Sequence, residues 1–308
     1  MHDSSSRLSP FSTRREWLAR AALGVAVIGL SAGTINAQDA KKAARVGTPP
    51  PTKPPLQPVQ INRLPDGLEQ LDLFLLIGQS NMKGRGFMPE EPSRDPRIVM
   101  MHLKDDAWYV ARHPLHLTGD ARTFQGADNA GAGPGLAFAE TVRTREPKVR
   151  VGLIPCAVGG SPIAQWQKGA KLYDVALRRA KLALQQAGAV PARIRGALWL
   201  QGEADANDAR LPVHETKLLR LIDDLRADLG EPELPFIACT IGEMRPDGNG
   251  IRKADMNRLL LSLSSKRPRA GCVDARDLKS HIGDNVHFDT AAQNEIGRRF
   301  AEKYFALR

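Results

Sequence analysis

Leu73-Phe74-Leu75-Leu76-Ile77-Gly78-Gln79-Ser80-Asn81-Met82 joins a short apolar run directly to a polar turn, and Gly84 and Gly86 follow closely. An apolar run of this length without alternation reads as a strand buried on both faces of a sheet. Ser80 then sits at the strand's carboxyl end. In an open parallel sheet, ligands bind in the crevice beyond that end, so a hydroxyl presented there is placed to attack. Far downstream, Asp284-Asn285-Val286-His287 supplies the acid and the histidine that such a serine needs. Together these stretches point to a hydrolase.

Outward from this strand, β-rich runs alternate with helical patterns. Leu71–Ile77, Val149–Pro155, Gly196–Leu200, Pro235–Ile241 and Gly271–Asp274 are short, apolar and bounded by turn residues. Between and after them, Gly135–Arg145, Lys171–Ala187, Pro212–Leu229, Ile251–Lys266 and Thr290–Leu307 carry apolar residues at helical spacing. The alternation predicts an α/β fold, a three-layer α/β/α sandwich around a five-stranded parallel sheet. Arg97–His116, with Trp108 and Tyr109, fits less well and reads as a small hairpin or an excursion at the cleft edge.

Polar, glycine-rich segments follow the strands: Gly78–Met82, Cys156–Pro162, Gln201–Asp205 and the loop holding Asp284 and His287. All would open on one rim of the sheet. A serine hydroxyl is a poor nucleophile at neutral pH, so His287 would take its proton while Asp284 orients the imidazole and stabilises its charged form. The backbone amides of Ser80 and Gly160 would serve the oxyanion.

Gly78-Gln79-Ser80-Asn81-Met82, Gly159-Gly160-Ser161, Gln201-Gly202-Glu203-Ala204-Asp205 and Asp284-Asn285-Val286-His287 resemble, in order, the sequence blocks of SGNH-type hydrolases. More narrowly, they resemble the sialate O-acetylesterase domain shared with the acetylxylan esterases of carbohydrate esterase family six. Gly131–Gly135 and Ile163–Trp166 fit the same pattern, and the likeness runs from Leu71 to the C-terminus. The resemblance implies a flavodoxin-like fold and a metal-free, cofactor-free Ser-His-Asp esterase that removes acetyl groups from sugar hydroxyls. By position, Ser80 would be the nucleophile, His287 the base and Asp284 its orienting acid. Many SGNH hydrolases place an asparagine in the third block as a further oxyanion donor. This chain has Gln201-Gly202-Glu203 there, which makes Gln201 the candidate donor and leaves Glu203 as a substrate contact or a brace for the loop. Asn81 and Trp166 are the other candidate substrate contacts, Trp166 by stacking on a sugar face.

Each assignment has a structural competitor. Ser80 could cap the helix that follows it, and Trp166 could be a packing residue. Asp289-Thr290 reads as the N-cap of the last helix. Glu203 and Asp205 could form the carboxylate pair of a glycosidase, a reading that leaves Ser80 and His287 unused. His102, His113, His116, His214 and His281 lack a comparable setting and are assigned to surface or packing. A catalytically silent carbohydrate-binding protein on the same fold is the alternative from outside the enzymes, and the intact Ser80, Asp284 and His287 argue against it.

The three cysteines, Cys156, Cys239 and Cys272, match no zinc pattern. Cys239 and Cys272 fall in neighbouring strands, which leaves open one disulfide or free thiols. The glycine-rich segments match neither a phosphate-binding loop nor a dinucleotide fingerprint. The formal net charge of +10 is spread through the presumed helices without basic runs interleaved with aromatics, against a nucleic-acid partner.

The amino-terminal segment reads differently. Thr13-Arg14-Arg15-Glu16-Trp17-Leu18, then the apolar run Ala21–Leu30 and small residues ending at Ala37, resemble a twin-arginine export signal spanning residues 1–37. The apolar run falls short of the roughly 20 residues of a membrane span. A periplasmic or secreted protein without a stable membrane span is the expectation. Residues 38–70, with Pro49-Pro50-Pro51 and Pro54-Pro55, read as a proline-rich linker, and 71–308 as the catalytic domain.

Overall fold

The computed structural model describes residues 56–90, 95–120, 122, 129–244, 247–248 and 250–308. The expected export signal and residues 38–55 of the expected linker lie outside the described residues. Strand β1 (Gln70–Gly78) lies at the centre of a sheet whose order is β3-β2-β4-β1-β5-β6-β7. β4 (Val149–Pro155) and β5 (Ala192–Leu200) flank it in parallel, and β6 (Phe236–Cys239) and β7 (Ala270–Val273) extend the sheet beyond β5.

The expected sheet of five parallel strands is thus a sheet of seven. β2 (Ile98–Met101) pairs in parallel with β4, and β3 (Trp108–Val110) closes the edge antiparallel to β2. These two come from the stretch 97–116, where short strands around an exposed turn carry too few apolar residues for a clear period.

Helices cover both faces. On one side α3 (Lys171–Ala187), α4 (Leu211–Leu229) and α5 (Lys253–Leu261) pack through Tyr173, Ala180, Leu218, Leu225 and Leu260 against Leu71, Leu73, Leu75 and Ile77. On the other side α2 (Gly135–Arg145) and α6 (Thr290–Ala306) pack through Phe138, Val142, Ile296 and Phe300 against Phe74 and Leu76. The apolar run of β1 is continuous because alternate residues enter two different cores. In the second core Phe74 meets Phe138 and Tyr304 edge to face, at 4.8 and 5.1 Å between ring centres. Such pairs add about 0.5–1.5 kcal/mol each beyond area burial.

Local signals set the helix ends. Asp289 caps α6, accepting the Ala292 N–H at 2.9 Å. α4 begins with Pro212 in its first turn and ends at Gly230, which adopts φ +67°.

The described part of the expected linker, residues 56–69, lies against the domain. Ile61 is buried, the Val59 N–H bonds the Trp108 carbonyl, and Arg150 Nη1 donates to the Gln60 and Arg63 carbonyls. Those carbonyls hold a buried guanidinium reaching out from β4, a contact that composition alone does not show.

β6 and β7 pair with Ala238 opposite Cys272 and Cys239 opposite Val273. One position of offset sends the two thiols to opposite faces: Cys239 joins the α2/α6 core and Cys272 the other. All three cysteines are free and buried, so the disulfide left open by the sequence does not form.

Candidate active site

Gly78 ends β1 with φ +129°, and a Cβ there would run into the Leu200 backbone. Only glycine lets the chain turn this tightly against β5. The turn delivers Ser80 as the first residue of the one-turn helix α1 (Ser80–Lys83), where its hydroxyl points across the rim instead of capping. β4 lies on one side of β1 and β5 on the other, so the loops after these strands diverge around Ser80.

His287 Nε2 lies 2.8 Å from Ser80 Oγ, and His287 Nδ1 lies 2.5 Å from Asp284 Oδ2. Asp284 Oδ1 accepts the backbone N–H groups of Val286 and His287, both at 2.9 Å. Burial would raise the Asp284 carboxyl, but the hydrogen bonds from His287 and Val286 outweigh it and hold the group at about 2. The acid therefore stays ionised wherever the protein is folded near neutrality. His281 shapes the same loop: its Nδ1 accepts the N–H groups of Gly283 and Asn285 at 3.0 and 3.2 Å. Neither the Ser80 nor the Gly160 amide is bonded to a carbonyl among the described residues.

Around this line the loops are laced together. Gln79 Oε1 accepts the Ala204 N–H, tying the β1 turn to the loop after β5. Asp205 accepts the Ile163 N–H at 2.7 Å and so holds the loop after β4. Burial raises the Asp205 carboxyl, but bonds to His214, Ile163 and Gln201 win and hold it below the usual range. The rim thus presents an aligned acid, imidazole and hydroxyl with free amides nearby, the equipment of acyl transfer.

Residues 70–306 match the family described as carbohydrate esterase, sialic acid-specific acetylesterase. The chain belongs to this family. A probable carbohydrate esterase of Arabidopsis thaliana is 33% identical over 281 residues, covering 84% of this chain and 96% of that protein. The X-ray structure of that Arabidopsis protein superposes with a TM-score of 0.65 at 31% identity, over 76% of this chain and 98% of the other. NanS shares the fold, with a TM-score of 0.62 at 16% identity over 78% of this chain and 98% of its own. So does a carbohydrate acetylesterase from Xanthomonas citri, at 0.57 and 21% over 77% of this chain and 56% of its own. The chain is accordingly a carbohydrate esterase, a carboxylic ester hydrolase.

In this esterase, three residues expected to face substrate do something else. Trp166 is fully buried, donates its indole N–H to Ser161 Oγ at 3.0 Å and packs edge to face on Trp199, so no sugar can stack on it. Gln201 is also fully buried, and its amide N–H groups go to the Ser161 carbonyl and the Asp205 carboxylate, leaving none for an oxyanion. Asn81 is buried beneath the site. It donates to Glu203 Oε1 at 2.6 Å and to the Val286 carbonyl, and accepts the Phe288 N–H. Glu203 braces Asn81, and burial raises its carboxyl despite that bond. Asp205 is occupied by the interloop network, which leaves no glycosidase pair.

The sequence reading passed over Arg85 and Phe87. Gly84-Arg85-Gly86 is clamped by backbone bonds: Gly131 N–H to Gly84, and Gly86 and Ala132 to each other. A Cβ at Gly84 or Gly131 would strike the facing backbone, and one at Gly86 would strike Thr290. The glycines around Arg85 were the available signal. Phe87 follows, 66% exposed as a residue, and its carbonyl accepts the Thr290 hydroxyl beside the His287 loop.

Proposed function

We propose that this chain is an exported serine esterase that removes O-acetyl groups from carbohydrates through an acetyl-enzyme. The observation that carries the reading is the hydrogen-bonded line from Asp284 through His287 to Ser80 at the rim of the sheet. His287 Nε2 takes the hydroxyl proton as Ser80 Oγ bonds to the acetyl carbonyl carbon. The carbonyl oxygen becomes an oxyanion facing the Ser80 and Gly160 amides. Asp284, ionised and bonded to Nδ1, fixes the imidazole and stabilises its cation. Collapse expels the sugar alkoxide, which leaves with the proton from His287. Water, deprotonated by His287, then hydrolyses the acetyl ester on Ser80 and releases acetate. A silent carbohydrate-binding role finds no support in a site whose hydroxyl and imidazole are already aligned.

Export rests on Arg14-Arg15 and the apolar run that follows. Fusing residues 1–37 to a reporter active only outside the cytoplasm tests it; an inactive fusion sinks the export proposal and leaves the chemistry untouched. The chemistry is tested by acetate release from acetylated xylan, acetylated sialosides and simple acetyl sugars. Wild type should release acetate from one or more of them and Ser80→Ala from none; a folded wild type silent on all of them refutes the esterase reading.

A further inference from the structure

Asp205 gathers polar groups from three segments on a single oxygen. Its Oδ2 accepts the Ile163 N–H at 2.7 Å from the loop after β4 and a side-chain N–H of Gln201 from the end of β5. His214 Nδ1, on α4, faces the same oxygen at 3.6 Å, longer than a hydrogen bond. Asp205, Gln201 and His214 are all buried, and none of them belongs to the line from Asp284 through His287 to Ser80. Burying a carboxylate is costly, yet its hydrogen bonds are shorter and stronger than those of a neutral acceptor. A charge at this junction therefore holds the loop after β4 against the end of β5 more tightly than an uncharged group would.

From Asp205 the constraint passes to Gly160. The Gln201 amide nitrogen also donates to the Ser161 carbonyl at 3.2 Å, and Ser161 Oγ donates to the Val158 carbonyl at 2.8 Å while accepting the Trp166 indole N–H. The Val158 N–H in turn bonds the Gly78 carbonyl at 3.1 Å. Gly160 thus stands between neighbours pinned on both sides, but is itself held by little. It adopts φ +70°, a Cβ there would meet nothing within 4 Å, and its N–H is bonded to no backbone carbonyl among the described residues. The direction of that N–H is consequently set by Val158 and Ser161. The segment also lies against the serine, since a Cβ on Gly159 would sit 3.9 Å from Ser80 Cβ.

We propose that Asp205 is a positioning residue of this esterase: through Ile163, Gln201 and Ser161 it aims the Gly160 N–H at the oxyanion formed from the acetyl carbonyl. This rests on the reading of Ser80 as the nucleophile and of the Gly160 amide as an oxyanion donor. Asp205 takes no proton and makes no bond in the reaction. Its effect is on the transition state, because a donor turned away from the developing charge stabilises it less while leaving the planar ester as well bound as before.

The test follows turnover of p-nitrophenyl acetate and of an O-acetylated sugar, together with inhibition by trifluoroacetone, a ketone to which a serine hydroxyl adds to give an anionic tetrahedral adduct. Asp205→Ala and Gln201→Met should each lower kcat about ten- to a hundredfold on both substrates with KM little changed, and should weaken inhibition by the ketone by a similar factor. Asp205→Asn, which keeps an acceptor oxygen, should recover most of the loss. The double variant Asp205→Ala with Gln201→Met should lose little more than either alone, since both cut one path. The acid limb of the kcat/KM profile should stay at its wild-type pH, because Asp284 and His287 keep their bonds. Circular dichroism and Tm establish that the variants are folded, and if Asp205→Ala does not fold, Gln201→Met carries the test. Undiminished kcat in the folded variants, a loss confined to KM, or unchanged ketone inhibition beside a lowered kcat overturns the proposal while leaving the esterase standing. Silence of folded wild type on both substrates sinks both.

Discussion

The side-chain carbonyl of Asn81 accepts the backbone N–H of Phe288 at 3.1 Å, joining the turn that bears Ser80 to the loop that bears His287. The amide nitrogen of the same residue reaches the Val286 carbonyl and Glu203. One buried side chain thus holds two segments in register across more than two hundred residues of sequence. Asn81→Ala should lower kcat about ten- to a hundredfold with little change in KM, because it loosens the Ser80–His287 distance and not the sugar contacts. It should also cost about 1–3 kcal/mol of stability, since buried partners lose their bonds. Steady-state kinetics with urea unfolding separates these effects; a change confined to KM would show that Asn81 touches substrate after all.

Ser80→Ala and Asp284→Asn should fail differently. The first removes the atom proposed to attack and should abolish turnover. The second keeps the shape but weakens control of the imidazole tautomer, and should lower kcat by about 10²–10⁴. Acetate release with each purified variant measures both, and near-normal turnover by Asp284→Asn would exclude it as the orienting acid.

Asp284 and Asp72 contribute in opposite directions to the pH dependence of stability. Asp284 is held at about 2, below its ordinary value, so its contribution is present above the ordinary carboxylate range and is lost only as pH falls through 2. Asp72, buried on β1 with Oδ2 unbonded, is pushed by that burial up to about 6, against the pull of Arg195. A raised carboxyl stabilises the fold below its ordinary value, and that contribution is lost as pH rises through 6. Asp72→Asn mimics the protonated form. It should add about 1–3 kcal/mol at pH 8, with the gain vanishing towards pH 4. Urea titrations across that range would show it, and a pH-independent effect would place the carboxyl elsewhere.

Trp166→Ala should destabilise the protein by about 3–5 kcal/mol by opening a cavity against Trp199 and freeing Ser161. Its effect on the ratio of kcat/KM between two acetylated sugars should be slight. A large shift in that ratio, with stability unchanged, would return Trp166 to the sugar site.

Reductant should leave Tm unchanged. Cys239 and Cys272 face opposite sides of the sheet, and thiol titration of protein prepared under oxidising conditions and unfolded should find three free groups. Two missing thiols would contradict the strand register.

Much of the fold is written in local pattern. The run Leu71–Ile77 needs two apolar faces, which commits it to a sheet covered on both sides, and Gly135–Arg145 and Lys171–Ala187 begin and end where helical spacing places them. Ser80, Asp284 and His287, which the structure aligns by hydrogen bonds, were picked out from residue type together with position in the loops after the strands. β2 and β3 were less legible, being short and resting on neighbours distant in sequence.

The roles of Asn81, Gln201 and Trp166 lay beyond the sequence for a physical reason. An amide or an indole can serve a substrate or brace a loop, and which it does depends on whether a partner from another loop stands within hydrogen-bond distance. Gln201 meets Ser161 and Asp205, Trp166 meets Ser161, and Asn81 meets Phe288 only after the strands have been ordered side by side. The same folding left Arg85 Nε without a hydrogen-bond partner among the described residues. The sequence by itself determined the layers of the fold and singled out the hydroxyl, imidazole and carboxylate that the structure aligns. Only the tertiary structure decided which polar groups are satisfied by the protein, because that balance is set by contacts between segments far apart in the chain.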